Sequence, residues 1–218
     1  MLKVFIGYDS TESVAWDVCR YSIERNSMIE PGDIYRLIGN PNGWSRYSPG
    51  GQSTEFTYSR FLVPYLSGYE GLSLFVDCDF VFLDDIEVLP SYLNGAAVAC
   101  CQHPDYIPLS TSKMDGQVQV SYPRKNWSSL MLFDNAKCRN LTPEYVANAT
   151  PQELHRMMWA ESIASIPLEW NTLEGYYHFE RPRAVHYTDG GPWHKSYSEG
   201  RYAQLWLDYH NELQDDKK

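Results

Sequence analysis

The sequence predicts an α/β protein, a single domain built on a mixed sheet with helices on its faces. Three observations carry this. Short apolar runs recur at residues 2–7, 72–76, 96–101 and 128–133, each the length of a strand buried on both faces. Amphipathic stretches with helical spacing separate several of them, the first at 12–26. The chain has 218 residues, within the range of one domain with a sizeable core.

Composition narrows the function classes. Hydrophobic residues make up 43% and the formal net charge is -10, which argues against electrostatic binding to nucleic acid or to an anionic membrane. An anionic substrate would then need a metal ion or a local basic cluster. No apolar run approaches the roughly 18 residues of a membrane span, so stable membrane insertion is not expected. The opening MLKVFIGYDS turns polar too early for a signal peptide. Five cysteines without CxxC spacing point to reduced thiols and a cytoplasmic setting.

Residues 2–7, LKVFIG, form the first predicted strand, with Tyr8 and Asp9 at its end. Asp9 and Glu12 read as an N-terminal cap for a helix over 12–26, and 33–38 is the next strand. This β-α-β opening is Rossmann-like, and ligands in such folds lie beyond the strand ends. No G-x-G-x-x-G follows the first strand, so a dinucleotide is disfavoured. Tyr8 and Asp9 could meet a base and a ribose, or simply form the strand-end turn. The stretch 39–53 is rich in Gly, Pro, Asn and Ser and longer than the usual connection of about 4–6 residues; it reads as a loop beside the site or as a surface insertion. Residues 54–66 have a helical pattern up to Pro64, with Arg60 set among inward-facing Phe56, Phe61 and Leu62. A cation in that position needs an anionic or polar partner.

The chain is organised around residues 72–85, LSLFVDCDFVFLDD. A buried apolar run breaks at Asp77-Cys78-Asp79 and resumes at Phe80. Sheet interiors do not hold bare carboxylates, so Asp77 and Asp79 belong where the strand emerges. Extended backbone would send the two side chains to opposite faces, so a bend is required if both are to reach one cation. Hard oxygen donors suit Mg²⁺ or Mn²⁺ holding a diphosphate; alone, the triplet also reads as a solvated acidic turn.

Further along, 86–93 reads as a short helix, 102–121 as a loop with a short hairpin, and Arg124 and Lys125 as cations before the strand at 128–133. Thr-Pro pairs open helices at 143–147 and 151–162; 166–171, IPLEWN, is a strand or turn. A second chemical cluster is 184–195, AVHYTDGGPWHK. His186 stands at a strand end, where an imidazole can complete a metal site. Gly190 and Gly191 allow close backbone approach to an oxyanion, and Lys195 can neutralise a phosphate. Residues 197–213 form an amphipathic packing helix, and 214–218 fray.

In this order, VFIGYD, TYSRFLVPYL, LSLFVDCDFVFLDDI, NWSSLMLF, IPLEWN and HYTDGGPWHK, the segments resemble the GT-A fold nucleotide-sugar glycosyltransferases, and are most similar to glycosyltransferase family 8. The resemblance spans residues 3–195. It implies a single-domain GT-A (Rossmann-like) mixed sheet flanked by helices over 1–218. It implies nucleobase and ribose contacts at Tyr8 and Asp9, a nucleotide contact at Arg60, Mn²⁺ (or Mg²⁺) on Asp77, Asp79 and His186, and diphosphate contacts at Gly190, Gly191 and Lys195. Ser128 is the clean match in the family's Asn-Ser-Gly segment. The family's Asp-Gln-Asp segment has no direct counterpart; residues 159–161 stand nearest, which makes Glu161 the catalytic candidate beside the anomeric carbon, with Asp79. The implied activity is metal-dependent transfer, with retention, from a nucleoside-diphosphate sugar (a UDP-sugar first) to a glycan or small-molecule hydroxyl. Two alternatives are a sugar nucleotidyltransferase, against which the base-free turn GYDSTE counts, and a non-catalytic nucleotide-sugar or glycan-binding module on the same fold.

Overall fold

The computed structural model describes residues 2–46, 52–110, 112–113, 116–118 and 121–217. Strand β1 (Leu2–Gly7) is buried except at Lys3. The Asp9 side chain caps a 3-10 turn at Ser10–Glu12 that leads into α1 (Ser13–Asn26). Strand β2 (Ile34–Leu37) follows. Residues 47–51 of the predicted loop lie outside the described residues. The predicted helix at 54–66 is instead a run of turns, a 3-10 turn at Ser59–Leu62 and α2 (Val63–Leu66). Pro64 opens this last helical turn rather than ending the helix, because its missing N–H costs nothing there.

Strands β3 (Leu72–Val76) and β4 (Phe80–Phe82) flank the two carboxylates. A 3-10 helix at Ile86–Tyr92 leads to β5 (Val98–Cys101), and a small hairpin, β6 (Ser112–Lys113) with β7 (Gln117–Val118), sits in the long loop as expected. Then come β8 (Leu130–Asp134), α3 (Pro143–Asn148), α4 (Pro151–His155) and β9 (Ile163–Ile166). Thr142 and Thr150 cap the two Pro-initiated helices as predicted. The second helix is shorter than its pattern. It stops at His155, the chain reverses through Met157 in the left-handed region (φ 54), and turns and loop take the predicted helical end over 156–162 before β9 begins. Strands β10 (Thr172–Leu173) and β11 (Ala184–His186) lead to α5 (Ala203–Asp216), which starts and ends later than predicted.

The main sheet has the order β2-β1-β3-β8-β5-β9, and a second sheet has the order β10-β11-β4. Only β8 runs against its neighbours in the main sheet, so β1, β3, β5 and β9 all end at one edge. The main core fills both faces of that sheet with residues such as Val4, Ile6, Phe75 and Leu132. A smaller core of Val18, Val81, Val185, Tyr187 and Trp206 joins α1, the second sheet and α5. Asn26 ties the same three together through bonds to the Phe82 carbonyl (3.0 Å) and the Tyr209 hydroxyl (2.8 Å).

Candidate metal and donor site

The Asp77-Cys78-Asp79 triplet is where the chain passes from one sheet to the other. The Asp77 N–H still donates to the Ser129 carbonyl (2.9 Å), continuing the β3–β8 pairing. By Phe80 the chain has joined the second sheet, with Phe80 opposite His186. This crossover supplies the bend that brings both carboxylates to one side. Oxygens of Asp77 and Asp79 and a ring nitrogen of His186 lie within 4.8 Å of one another. Asp79 Oδ2 is 3.3 Å from His186 Nε2. The imidazole is buried and stacks on Phe80, centroids 4.3 Å apart.

Arg60 finds the partners its position demanded. One guanidinium nitrogen lies 2.8 Å from Asp77 Oδ1 and donates to the Ser128 carbonyl at 2.9 Å. Its Nε donates to the Thr57 carbonyl. Ser128 Oγ meets His155 Nδ1 at 2.9 Å, so Ser128 links the Asp77–Asp79–His186 cluster, through Arg60, to α4. Burial, with the nearby Arg60 and Arg46 charges, pushes the His155 pKa down to about 3.

A third carboxylate, Glu12, borders the cluster, where the sequence pointed only to a helix cap. Glu12 does not close a capping box with Asp9. Its side chain turns inward and accepts from Trp193 Nε1 (3.1 Å) and His194 Nε2 (3.0 Å). Burial and the Asp79 charge raise its pKa. The cavity at the cluster holds about 40 Å³, and its lining includes Glu12, Thr54, Arg60, Asn126 and Thr188 with Asp77, Asp79 and His186. A wider cavity of about 390 Å³ opens where Thr57, Tyr58, Tyr122, Gln152, His155 and Arg156 meet. Sequence reasoning missed Glu12, Asn126, Gln152 and Thr188 as site residues. The signal for Thr188 was its place two residues after His186; Glu12 and Gln152 read only as helix-start residues.

Other predicted site residues are placed differently. Asp9 is buried, and both its oxygens are taken up within the chain, Oδ1 by the Thr11 amide and hydroxyl and Oδ2 by the Glu55 amide; it acts as a cap. Tyr8 carries the Arg36 guanidinium 4.4 Å from its ring centroid. The Gly190 N–H is spent on the Tyr187 carbonyl (2.8 Å), and Gly190 borders a different cavity, with Asp189 and Tyr197. Gly191 is needed for packing, since a Cβ there would lie 2.0 Å from the Trp193 ring. Lys195 is exposed on a 3-10 turn and does not line the cluster cavity. Arg124 lies over Trp127, 4.9 Å from the ring centroid, and donates to the Arg156 carbonyl.

Glu161 is corrected by topology. It is exposed and precedes β9, whereas Asp77 follows β3. Those strands run the same way, so Glu161 stands at the opposite edge of the sheet, more than about 13 Å away, the rise of a four-residue strand alone. All five cysteines are free and buried. No described helix is long and apolar enough to cross a membrane.

Comparison with solved structures defines the fold. The structure matches apo GlyE, a glycosyltransferase of Streptococcus pneumoniae TIGR4, with a TM-score of 0.64 and 16% identity over 99% of this chain and 63% of that one. It matches an active-site mutant of LgtC with a TM-score of 0.63 and 13% identity over 97% and 96% of the two chains. WbbM, a bifunctional glycosyltransferase, gives a TM-score of 0.63 at 14% identity, over 98% of this chain and 51% of that one. At these identities the likeness is one of fold: the GT-A fold of glycosyltransferases. No family model matches the sequence. The chain is 43% identical over 231 residues to Protein CDI of Arabidopsis thaliana, covering 99% of this chain and 87% of that protein, and it belongs to that protein's family.

Proposed function

We propose that this chain is a metal-dependent glycosyltransferase, working as one GT-A domain, that moves a sugar from a nucleoside-diphosphate sugar to a hydroxyl acceptor. The narrower likeness to family 8, the UDP-sugar donor and retention belong to this reading. The convergence of Asp77, Asp79 and His186 within 4.8 Å carries it, on a fold shared with glycosyltransferases.

Two carboxylates and an imidazole nitrogen are a fitting donor set for Mn²⁺ or Mg²⁺, with Arg60 offsetting part of their charge. When bound, such an ion supplies Lewis-acid stabilisation to a departing diphosphate. The chain's own residues do the rest. Asp77, held by Arg60, and Asp79, held at the crossover, fix the ion at the sheet edge. His155, held by Ser128 Oγ, borders the donor sugar, which this reading seats in the cavity of about 390 Å³. Its lining combines aromatic faces for the sugar's C–H surface with Thr, Gln and His groups for its hydroxyls. No carboxylate lines that cavity among the described residues, so retention is assigned to front-face attack by the acceptor rather than to a covalent glycosyl-enzyme. The cluster cavity of about 40 Å³ admits an ion and its water; the diphosphate therefore requires the loops around it to open.

The test is hydrolysis of UDP-, GDP- and ADP-sugars without acceptor, in Mn²⁺ or EDTA, by wild type and Asp79→Ala. Slow metal-dependent release of the nucleotide from one donor, lost in the variant, supports the reading. No release from any donor, with no metal-dependent nucleotide binding by calorimetry, overturns it.

A further inference from the structure

We infer that Asn171 is a positioning residue for His186, fixing the imidazole as its Nδ1–H tautomer so that Nε2 offers a lone pair to the cation shared with Asp77 and Asp79. This rests on the metal-site reading above and assigns a role to IPLEWN, which the proposed chemistry otherwise leaves unused.

A backbone carbonyl, whose role is beyond choice, anchors the relay. Ser129 Oγ lies 2.7 Å from the Asn126 carbonyl. A carbonyl only accepts, so the Ser129 hydroxyl spends its one proton there. The Asn171 amide group, 2.9 Å from Ser129 Oγ, must then donate to it. That fixes which way round the Asn171 amide stands, and its carbonyl oxygen is the atom 2.9 Å from His186 Nδ1. This oxygen also only accepts, so Nδ1 carries the proton. In the neutral ring Nε2 then carries none, and its lone pair faces Asp79 Oδ2 at 3.3 Å. A cation held between them turns that juxtaposition from unfavourable to favourable.

Burial gives the relay its strength. Ser129 is 2% exposed, Asn171 0% and His186 1%, so water does not substitute for a lost partner. The ring cannot swivel to escape, because it stacks on Phe80 with planes 17° apart. The Asn171 backbone is held too: the Tyr177 hydroxyl donates to its carbonyl at 3.1 Å and also meets His103. Polar partners of this kind orient metal-ligating histidines generally, and their removal costs about 10–100-fold in metal affinity.

Long-range ¹H–¹⁵N NMR on metal-free protein, at a pH where the ring is neutral, reads the tautomer directly, with His186→Gln identifying the signals. Mn²⁺ titration followed by electron paramagnetic resonance reads affinity without any substrate. Wild type should show the Nδ1–H form. Asn171→Leu should lose about 10–100-fold in Mn²⁺ affinity, and Asn171→Asp, which keeps the acceptor, should stay within a few-fold of wild type. Ser129→Ala frees the amide to turn over and should give a mixture of tautomers with an intermediate loss; it covers the case in which Asn171→Leu fails to fold. An Nε2–H tautomer in wild type, or unchanged Mn²⁺ affinity in folded Asn171→Leu or Ser129→Ala, overturns the inference. Wild type that binds no Mn²⁺ overturns the metal-site reading itself.

Discussion

Arg60, buried, and Asp77, partly buried, form an ion pair 2.8 Å apart that joins the turn before α2 to the end of β3. The same guanidinium holds the Ser128 and Thr57 carbonyls, so one side chain fixes three segments around the carboxylates. Arg60→Met should leave Asp77 uncompensated and cost about 3 kcal/mol of stability. Saturating Mn²⁺ should return part of that loss, because ion binding favours the folded state. Thermal melts with and without Mn²⁺ decide it. Equal losses under both conditions would separate Arg60 from the metal site.

Removing a ligand should act on the ion before it acts on the fold. Asp79→Ala is expected to weaken Mn²⁺ binding at least about 100-fold, more than loss of an outer partner. Calorimetric titration with Mn²⁺ alone measures it.

Gln152 should affect the sugar without affecting the ion. It lines the cavity assigned to the donor sugar and not the cavity at the metal cluster. Gln152→Ala should lower kcat/KM for the donor about tenfold, a loss of about 1.4 kcal/mol, with Mn²⁺ affinity unchanged. A fall in Mn²⁺ affinity would contradict the separation of the two cavities.

Acid should destabilise the protein through His155. Its pKa falls from an ordinary 6.5 to about 3 in the folded state. Between those values the unfolded chain binds a proton that the folded chain refuses. Stability is thus fully present above about pH 6.5 and is lost as pH falls, at about 1.4 kcal/mol per pH unit. His155→Gln should flatten the dependence of urea stability on pH between 6.5 and 5, relative to wild type.

Gly191→Ala should be disruptive for a packing reason. The new methyl group would sit 2.0 Å from the Trp193 ring, and the displaced indole would lose its bond to Glu12. The expected cost is about 2 kcal/mol, with a change in tryptophan fluorescence. A neutral substitution would show that the loop repacks freely.

Local chemistry by itself determined much of this protein. The strands at 2–7 and 72–76, the helix on Ser13–Asn26 and the Thr-Pro helix starts follow from apolar runs, periodicity and capping, which act between near neighbours. The position of Asp77 and Asp79 was legible because carboxylates that interrupt a buried strand have a place only at its end. Tertiary structure alone decided the rest. Strand β9 exists because it pairs with β5, some 65 residues away, a partner that no pattern local to 163–166 names. The same topology sends Glu161 to the far edge, while Glu12 and Gln152, read only as helix-start residues, line the two cavities. Asn171 acquires its role because the two sheets bring it beside His186. Which groups face one another across a sheet edge depends on strand order and direction, and neither is set by residues close in sequence.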